Sequence, residues 1–293
     1  MLFIRTSVAV VILLASSTLA QDAPPIPTAV PVEANDDHES MLASDDPQLA
    51  ANKRLVYDFH RAVEARDSDR VGRLLAADFV DRGEAFSILF GLTEMQERVQ
   101  APLVAIVAER DLVALVTAVE RAEPRPYTTT EFNLYRVVDG KIAEHWDSRL
   151  ERADLNRHQI SPVVNDDPAA SLASDDEQLA RNKRFVYDMW RTLLDAQQVE
   201  EAPKYLAPGY IQHNPLADTG LDGFLNFFRR FAQPKPVEEE VANFVEILAE
   251  GDLVVLATLR PGGGGETPTT WFDMWRVDDD GLLAEHWDVA TLP

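Results

Sequence analysis

Trp271-Phe-Asp-Met-Trp-Arg-Val277, a turn at Asp278-Asp-Asp-Gly281, and then Leu282-Leu-Ala-Glu-His-Trp-Asp-Val289 make up the most informative segment of this chain. Two short runs of β-prone residues around an acidic turn that ends in glycine predict a β-hairpin. Because side chains alternate between the faces of a strand, Asp273 shares one face with Trp271 and Trp275. Burial among such side chains raises the pKa of a carboxylic acid, and an acid that titrates near neutral pH can exchange protons. The other interpretation of Asp273 is a structural hydrogen bond.

The composition excludes several classes of protein. The chain has 293 residues, of which 46 % are hydrophobic, and a formal net charge of −23. Nucleic acids and anionic lipid surfaces require clustered Lys and Arg, so neither is expected as a partner. Cysteine is absent, which rules out disulfides, thiolate nucleophiles and cysteine-based metal sites.

The first residues have the pattern of an export signal. Arg5 precedes the apolar run from Val8 to Leu14, and small residues follow up to Ala20. We therefore expect a signal peptide at residues 1–20, a Pro- and Ala-rich flexible linker at 21–40, and a periplasmic or secreted protein. An uncleaved membrane anchor is the alternative, whereas no membrane association is expected after cleavage.

An internal repeat divides the rest of the chain. Met41–Asp58 and Ser171–Asp188 differ at four of eighteen positions, and Ala143–Asp147 is identical to Ala284–Asp288. The sequence thus predicts a first domain at residues 41–155, a linker at 156–170 and a second domain at 171–293.

Each copy begins with helical periodicity and ends with β-prone runs, an order typical of an α+β fold. In the second copy, Ser174 and Glu177 predict a capping box at the start of a helix. Strands are predicted at residues 241–249, 253–259 and 269–277. The glycines at 262–265 indicate a hairpin tip rather than a phosphate-binding loop, because no Lys-Ser/Thr pair and no helix follow them.

The motifs of the second copy resemble those of a SnoaL-like domain, a family within the nuclear transport factor 2-like superfamily. They are Tyr210-x-Gln-His-Asn-Pro215, Asp273-x-Trp-Arg-Val277 and Gly281-x-x-Ala-Glu-His-Trp-Asp288. The resemblance extends to both copies. It implies tandem cone-shaped domains, each a curved antiparallel or mixed sheet wrapped by about three helices around a pocket. Family members commonly pair through their sheets, so an internal pseudo-dimer of the two copies is expected.

The resemblance also implies an activity. The family includes polyketide cyclases, which close a ring by aldol condensation without a metal or organic cofactor. An aspartate on the strand before the last acts in them as acid and base, and Asp273 occupies that position. Asn133 occupies it in the first copy and cannot exchange a proton near neutral pH, so the first copy is expected to be degenerate. The cyclases also carry a histidine at the positions of Ala257 and Val116.

Other residues complete the predicted site. His213 is a second candidate for proton transfer, because histidine titrates near neutral pH, although a hydrogen bond at a turn explains it equally well. His286 corresponds to His145 in the first copy, and the residues that flank the two histidines are identical. This identity favours a structural role. The scattered histidines indicate no metal site. The expected substrate-binding residues are Tyr210, Asn214, Trp271, Trp275, Trp287 and His286.

Two hypotheses about function follow. In the first, the second copy is a cofactor-independent cyclase, isomerase or lyase that acts on a small apolar carbonyl compound through Asp273 and His213. In the second, the protein binds a small hydrophobic ligand without transforming it.

Overall fold

The structure is a computed structural model that describes residues 29–83, 102–148, 164–241, 243–260 and 269–292. The predicted signal peptide, linker residues 21–28 and 156–163, and the glycines at 262–265 lie outside these residues. Within the described part, no helix combines the length and the apolar character needed to cross a membrane.

In the described residues of the first copy, three helices precede the sheet. They are α1 (His38–Leu42), α2 (Pro47–Glu64) and α3 (Ser68–Leu74). The strands are β1 (Leu75–Asp81), β2 (Leu103–Glu109), β3 (Leu112–Arg121), β4 (Tyr127–Val138) and β5 (Lys141–Asp147). They form one sheet in the order β1-β5-β4-β3-β2, in which only the β1–β5 pair is parallel.

In the second copy, helices precede the first strand and a further helix lies between the first two strands. Its helical elements are α4 (Pro168–Leu172), α5 (Glu177–Met189), a π-helical segment (Trp190–Asp195), a 3₁₀ helix (Val199–Lys204) and α6 (Leu221–Phe228). The strands are β6 (Leu206–Gln212), β7 (Phe244–Glu250), β8 (Leu253–Arg260), β9 (Thr269–Val277) and β10 (Leu283–Asp288). The order β6-β10-β9-β8-β7 matches the first sheet strand for strand. Two five-stranded mixed sheets, each with a few helices, confirm the predicted tandem α+β architecture.

The predicted capping box is wrong by two residues. Helix α5 is capped by Asp176, whose carboxylate accepts hydrogen bonds from the backbone N–H groups of Gln178 at 2.7 Å and Leu179 at 3.2 Å. An ionised carboxylate also suits the positive end of the helix dipole, so it takes precedence over the hydroxyl of Ser174.

Apolar residues lie on both faces of each sheet. One face packs against the helices of its own copy, and the other face packs against the second sheet. At the centre of the contact between the sheets, the rings of Phe132 and Phe272 stack with centroids 5.8 Å apart and planes 3° from parallel. These two phenylalanines are equivalent residues of the repeat, so the sheets meet in a nearly symmetrical way.

Two reciprocal ion pairs also join the copies. Lys183 Nζ of the second copy lies 2.7 Å from Glu109 Oε1, and Lys53 Nζ of the first lies 2.6 Å from Glu250 Oε1. Each glutamate also accepts a backbone N–H from the other copy, from Ala249 at 2.9 Å and from Ala108 at 2.8 Å. The same contact therefore occurs twice, as in a two-fold symmetric dimer interface.

Residues 29–35 connect the copies and differ from the flexible linker expected for residues 21–40. Val30 donates its N–H to the carbonyl of Gln212 at 2.9 Å. Val32 is buried between the sheets and donates its N–H to Thr128 Oγ1 at 2.7 Å. The Pro- and Ala-rich composition suggested flexibility, but the two valines are held by burial and by backbone hydrogen bonds.

Candidate active site

Three neighbouring strands, β6, β10 and β9, bring the candidate side chains together. Asp273 of β9 lies directly opposite Asp288 of β10, and Trp275 lies opposite His286. Residues opposite each other in an antiparallel pair share one side of the sheet. Trp275 belongs to the apolar core under the helices of the second copy, so all four side chains are on the helix-covered face.

The Asp273 side chain is deeply buried, with 3 % of the residue exposed. Its Oδ1 atom lies 2.9 Å from Nε2 of His286, and its Oδ2 atom has no hydrogen-bond partner among the described residues. Burial raises the pKa of Asp273 well above its ordinary value. The indole of Trp271 opposes this in part, without reaching hydrogen-bond geometry with Oδ2. The charged form loses its hydration in this environment, which favours the protonated acid.

The hydrogen bonds around His286 fix its tautomer. The backbone N–H of Asn214 donates to Oε1 of Gln212 at 2.9 Å, which identifies that atom as the amide oxygen. The same oxygen lies 3.0 Å from Nδ1 of His286, so Nδ1 carries a hydrogen. Burial lowers the pKa of His286 to about 4, and the neutral ring then has its lone pair on Nε2. One proton is thus shared between Asp273 Oδ1 and His286 Nε2.

Asp288 is a second buried acid on this face. Its Oδ2 atom accepts a hydrogen bond from Nδ2 of Asn214 at 2.7 Å, and its Oδ1 atom has no partner within the described part of the chain. Burial raises the pKa of Asp288 to about 6. The face thus carries two carboxyl groups, each with one oxygen held and one oxygen free.

Asp273, His286 and Asp288 could also be considered for metal binding, because one donor atom from each lies within 4.8 Å of the others. Both nitrogens of His286 are already hydrogen-bonded, Nε2 to Asp273 Oδ1 at 2.9 Å and Nδ1 to Gln212 Oε1 at 3.0 Å. The group is therefore described as a hydrogen-bonded cluster, and the absence of a metal stays a prediction.

Aromatic rings flank His286 on both sides. The Trp275 ring on β9 stacks on the imidazole at a centroid distance of 5.0 Å, and the Tyr210 ring on β6 lies at 6.4 Å. Trp190, from the π-helical segment, contacts Trp275 edge to face at 6.1 Å. Tyr210 and Trp275 thus lie against His286, which is itself hydrogen-bonded to Asp273.

The structure separates two other predicted residues from Asp273. His213 directly follows Gln212, so its side chain turns to the opposite face. There its Nε2 atom lies 2.8 Å from Glu285 Oε1, its Nδ1 atom lies 2.8 Å from the carbonyl of Val30, and its ring stacks on Trp287. Trp287 itself belongs to the core between the sheets. The expected pairing of His213 with Asp273 is corrected by this geometry, in which His286 is the histidine at the acid.

The remaining predicted positions lie near the cluster. Trp271 is half-buried two residues before Asp273, under the guanidinium of Arg260 at 4.9 Å from its ring centre. Asn214 contacts Asp288 rather than Asp273. Ala257, where the family carries a histidine, packs between the sheets, and so does its counterpart Val116.

The first copy rearranges the same cluster. His145 Nδ1 lies 2.9 Å from Asp81 Oδ1, and His145 Nε2 lies 3.0 Å from Asn133 Oδ1. Asp81 occupies the position of Gln212, and Asn133 that of Asp273. Both copies therefore bond one acid and one amide to the histidine, but the acid and the amide have exchanged sides.

Sequence reasoning missed Gln212 and Asp288. Asp288 ends the motif that is identical in the two copies, and the alternation of side chains places it with His286 two residues apart on one face of β10. Gln212 could have been found by comparing it with Asp81, because an acid-for-amide change there mirrors the change from Asn133 to Asp273.

One described surface pocket lies elsewhere. It has a volume of about 210 Å³ and lies in the first copy, between α2 and the start of β2. His38 Nδ1 lies 3.1 Å from the hydroxyl of Tyr57 at this pocket. The pocket contains none of the residues of the Asp273 cluster, and its walls are Ala34, Asp36, His38, Tyr57, His60, Arg61, Glu64, Pro102 and Leu103.

Comparison with known proteins gives a family for the second copy. The family model of the SnoaL-like domain matches residues 186–286, which include the whole cluster except Asp288. No curated protein matches the chain.

Several solved structures are similar to about a third of the chain. AclR, a candidate hydroxylase from Streptomyces galilaeus, is 24 % identical and aligns with 34 % of this chain and 79 % of its own, with a TM-score of 0.29. IdmH, a candidate polyketide cyclase from Streptomyces antibioticus, is 21 % identical and aligns with 33 % of this chain and 90 % of its own, with a TM-score of 0.28. An LEH-like epoxide hydrolase of M. tuberculosis is 22 % identical and aligns with 34 % of this chain and 84 % of its own, with a TM-score of 0.28.

Proposed function

We propose, on the premise that residues 186–286 form a SnoaL-like domain, that the second copy is a cofactor-independent acid/base enzyme. It removes and returns a proton next to the carbonyl group of a small apolar compound, which results in aldol cyclisation or isomerisation. The observation that carries this proposal is the state of Asp273, which has one oxygen bonded to a neutral imidazole and the other free in a buried site.

The hydrogen bond between Asp273 and His286 provides a route for the proton. As the substrate C–H bond breaks, Asp273 Oδ2 takes the proton, and the proton on Oδ1 passes to Nε2 of His286. The electron pair of the C–H bond remains on the substrate as an enolate, and the imidazole becomes a cation. Charge is conserved, and return of the protons completes the cycle. Asp273 acts as a general base, and His286 stores a proton.

The walls of the site favour an apolar substrate. Trp190, Tyr210 and Trp275 present aromatic surface around the acid, and the helix-covered core next to them is apolar. Such surroundings suit a cyclic or aromatic ketone and exclude water, which strengthens the electrostatic effect of each polar group.

Deuterium exchange tests this proposal without knowledge of the natural substrate. Wild-type protein in deuterium oxide is expected to exchange the α-hydrogens of β-tetralone or phenylacetone faster than buffer, as followed by NMR. Asp273→Asn should lower this rate about 100-fold or more, the range for a general base. Asn133 shows that the fold accepts asparagine at this position. Asp252→Asn changes an exposed acid and is the matched control. If wild-type protein exchanges neither ketone, the proposal is wrong.

A binding protein without catalysis is the second candidate. It is supported by the first copy, where Asn133 leaves no exchangeable proton at the corresponding position. In that case an apolar ketone would raise the melting temperature of wild-type protein and of Asp273→Asn equally. The ketone would also be recovered without deuterium.

We also propose that the protein is exported and that its two copies form an internal pseudo-dimer. The export signal pattern and the reciprocal pairs of Lys183 with Glu109 and Lys53 with Glu250 support these points. Sequencing of the mature N-terminus after expression in bacteria tests the first. A solution mass of one chain, near 32.7 kDa before cleavage, tests the second.

A further inference from the structure

We infer that Asp288 is a second catalytic carboxyl group, which delivers a proton to the carbonyl oxygen of the substrate while Asp273 removes the proton from the adjacent carbon. This inference rests on the proposed function of the same site. It concerns a residue that lies just beyond the part matched by the family model.

One carboxylate oxygen of Asp288 is fixed by a hydrogen bond, and the other is available for a substrate. Asn214 Nδ2 donates to Oδ2 at 2.7 Å, which orients the carboxyl group, and Oδ1 is left without a partner among the described residues. Asp288 is 7 % exposed, so a bare oxygen there is costly unless a ligand completes it. The free oxygen of Asp273 belongs to the directly opposite residue, so the two acids are neighbours on one face of the sheet.

With both acids taking part, every proton transferred in the enolisation of the substrate is accounted for. The substrate C–H proton goes to Asp273 Oδ2, the proton on Asp273 Oδ1 goes to His286 Nε2, and the proton on Asp288 Oδ1 goes to the carbonyl oxygen. The products are a neutral enol, a neutral Asp273, an imidazolium at His286 and a carboxylate at Asp288. The new cation and anion are neighbours within the cluster, so each stabilises the other.

The surrounding groups set the proton affinity of Asp288. Asp273 and His286 face it from β9 and β10, Tyr210 from β6, and Asn214 from the segment after β6, and His213 acts on it from the opposite face of the sheet. Burial favours the protonated acid, whereas the hydrogen bond from Asn214 favours the anion. The resulting pKa of about 6 leaves a protonated fraction available under mildly acidic conditions.

The first copy lacks this arrangement. Asp147 corresponds to Asp288, but Gly83 stands where Asn214 would be, and it provides no side-chain amide. The backbone is close to the acid there, since a Cβ atom on Gly83 would lie 2.8 Å from Asp147 Cγ. The orienting amide is therefore a feature of the second copy, the copy that carries Asp273.

The pH profile of β-tetralone exchange tests the role of Asp288. Catalysis needs a neutral His286 and a protonated Asp288, so the wild-type rate should be highest between about pH 4 and about pH 6. Above about pH 6 it should fall tenfold per pH unit. Asp288→Asn should lower the rate near pH 5 about 100-fold and abolish the decline above pH 6. A second variant, Asn214→Ala, removes a hydrogen bond that favours the anion and should shift the decline to higher pH.

The outcomes separate the two proposals. If Asp273→Asn is inactive while Asp288→Asn keeps both the wild-type rate and its decline above pH 6, Asp288 has no catalytic role and the proposed function stands. A lower rate with an unchanged decline indicates a structural role and also overturns the inference. If wild-type protein shows no exchange at all, the proposed function itself fails.

Discussion

His286 Nε2 lies 2.9 Å from Asp273 Oδ1, and a single proton serves both atoms. With Nδ1 donating to Gln212 and the pKa of His286 lowered to about 4 by burial, the ring is neutral at pH 7. Nitrogen NMR is expected to show a protonated Nδ1 and an unprotonated Nε2 from about pH 5 to pH 8. His38, which is half-buried and lies outside this cluster, is an internal reference. An imidazolium signal from His286 at pH 7 would contradict the proton assignment.

Asp288→Asn should stabilise the protein at neutral pH. The folded pKa of about 6 lies above the ordinary 3.8, so the contribution of Asp288 to stability is present below about pH 4 and lost as the pH rises through 6. Asparagine avoids the buried charge, and the variant should gain at most about 3 kcal/mol in free energy of unfolding at pH 7. The pKa of His286 shifts the other way, so its neutral form contributes above pH 6.5 and this is lost towards about 4. Urea unfolding of both proteins near pH 4 and pH 7 measures the difference, and an equal gain at both values would refute this account.

The substitutions Asn133→Asp and Asp81→Gln, which exchange the acid and the amide at His145, should affect the free energy of unfolding cooperatively. Asn133→Asp alone puts two acids at one imidazole, and Asp81→Gln alone leaves none. The double variant restores the arrangement of the second copy, including an amide oxygen for the N–H of Gly83. A double-mutant cycle by urea unfolding should give a favourable coupling of about 1 kcal/mol or more. Additive effects would show that the two positions act independently.

Lys183 should be far more sensitive to replacement than Lys53, although the two are equivalent. Glu109 has 6 % of its side chain exposed at the Lys183 pair, whereas Glu250 has 24 % exposed at the Lys53 pair. Lys183→Met strands a buried carboxylate and should cost about 3–5 kcal/mol in free energy of unfolding. Lys53→Met is the matched control and should cost less, because water reaches Glu250. Adding Glu109→Gln to Lys183→Met should recover part of the loss.

Removal of metal ions should leave the second copy unchanged. Both ring nitrogens of His286 already take part in hydrogen bonds, Nε2 with Asp273 and Nδ1 with Gln212. Dialysis against EDTA is therefore expected to change neither the melting temperature nor the ketone exchange rate. Recovery of exchange only after addition of zinc or manganese would instead assign the cluster to metal binding.

The sequence was most informative where the repeat and the strand pattern were strong. The duplication, the order of helices and strands, and the burial of Asp273 beside Trp275 follow from apolar periodicity and alternation. The location of His213 could also have been derived, because a residue next to Gln212 on an extended chain must turn to the other face. The resemblance drew attention to His213 as a titratable group and obscured this simple rule.

Other features depended on tertiary contacts that no local pattern records. Val30 and Val32 lie in a Pro- and Ala-rich segment, and only their bonds to Gln212 and Thr128 show that the segment is ordered. The partner of Lys183 is Glu109, 74 residues away, and helix periodicity gives no indication of it. Asp288 needed the register of β9 against β10 before it could be placed opposite Asp273.

Each end of the described chain is fastened to the opposite half. The carbonyl oxygen of Val30 accepts a hydrogen bond from Nδ1 of His213, 183 residues later. Ala290 donates its N–H to Thr129 Oγ1 in β4. The contacts of Val30 can therefore form only after β6 has been synthesised. In the folded protein these two contacts connect the halves at both ends. Proteolytic cleavage between the halves would therefore leave them associated.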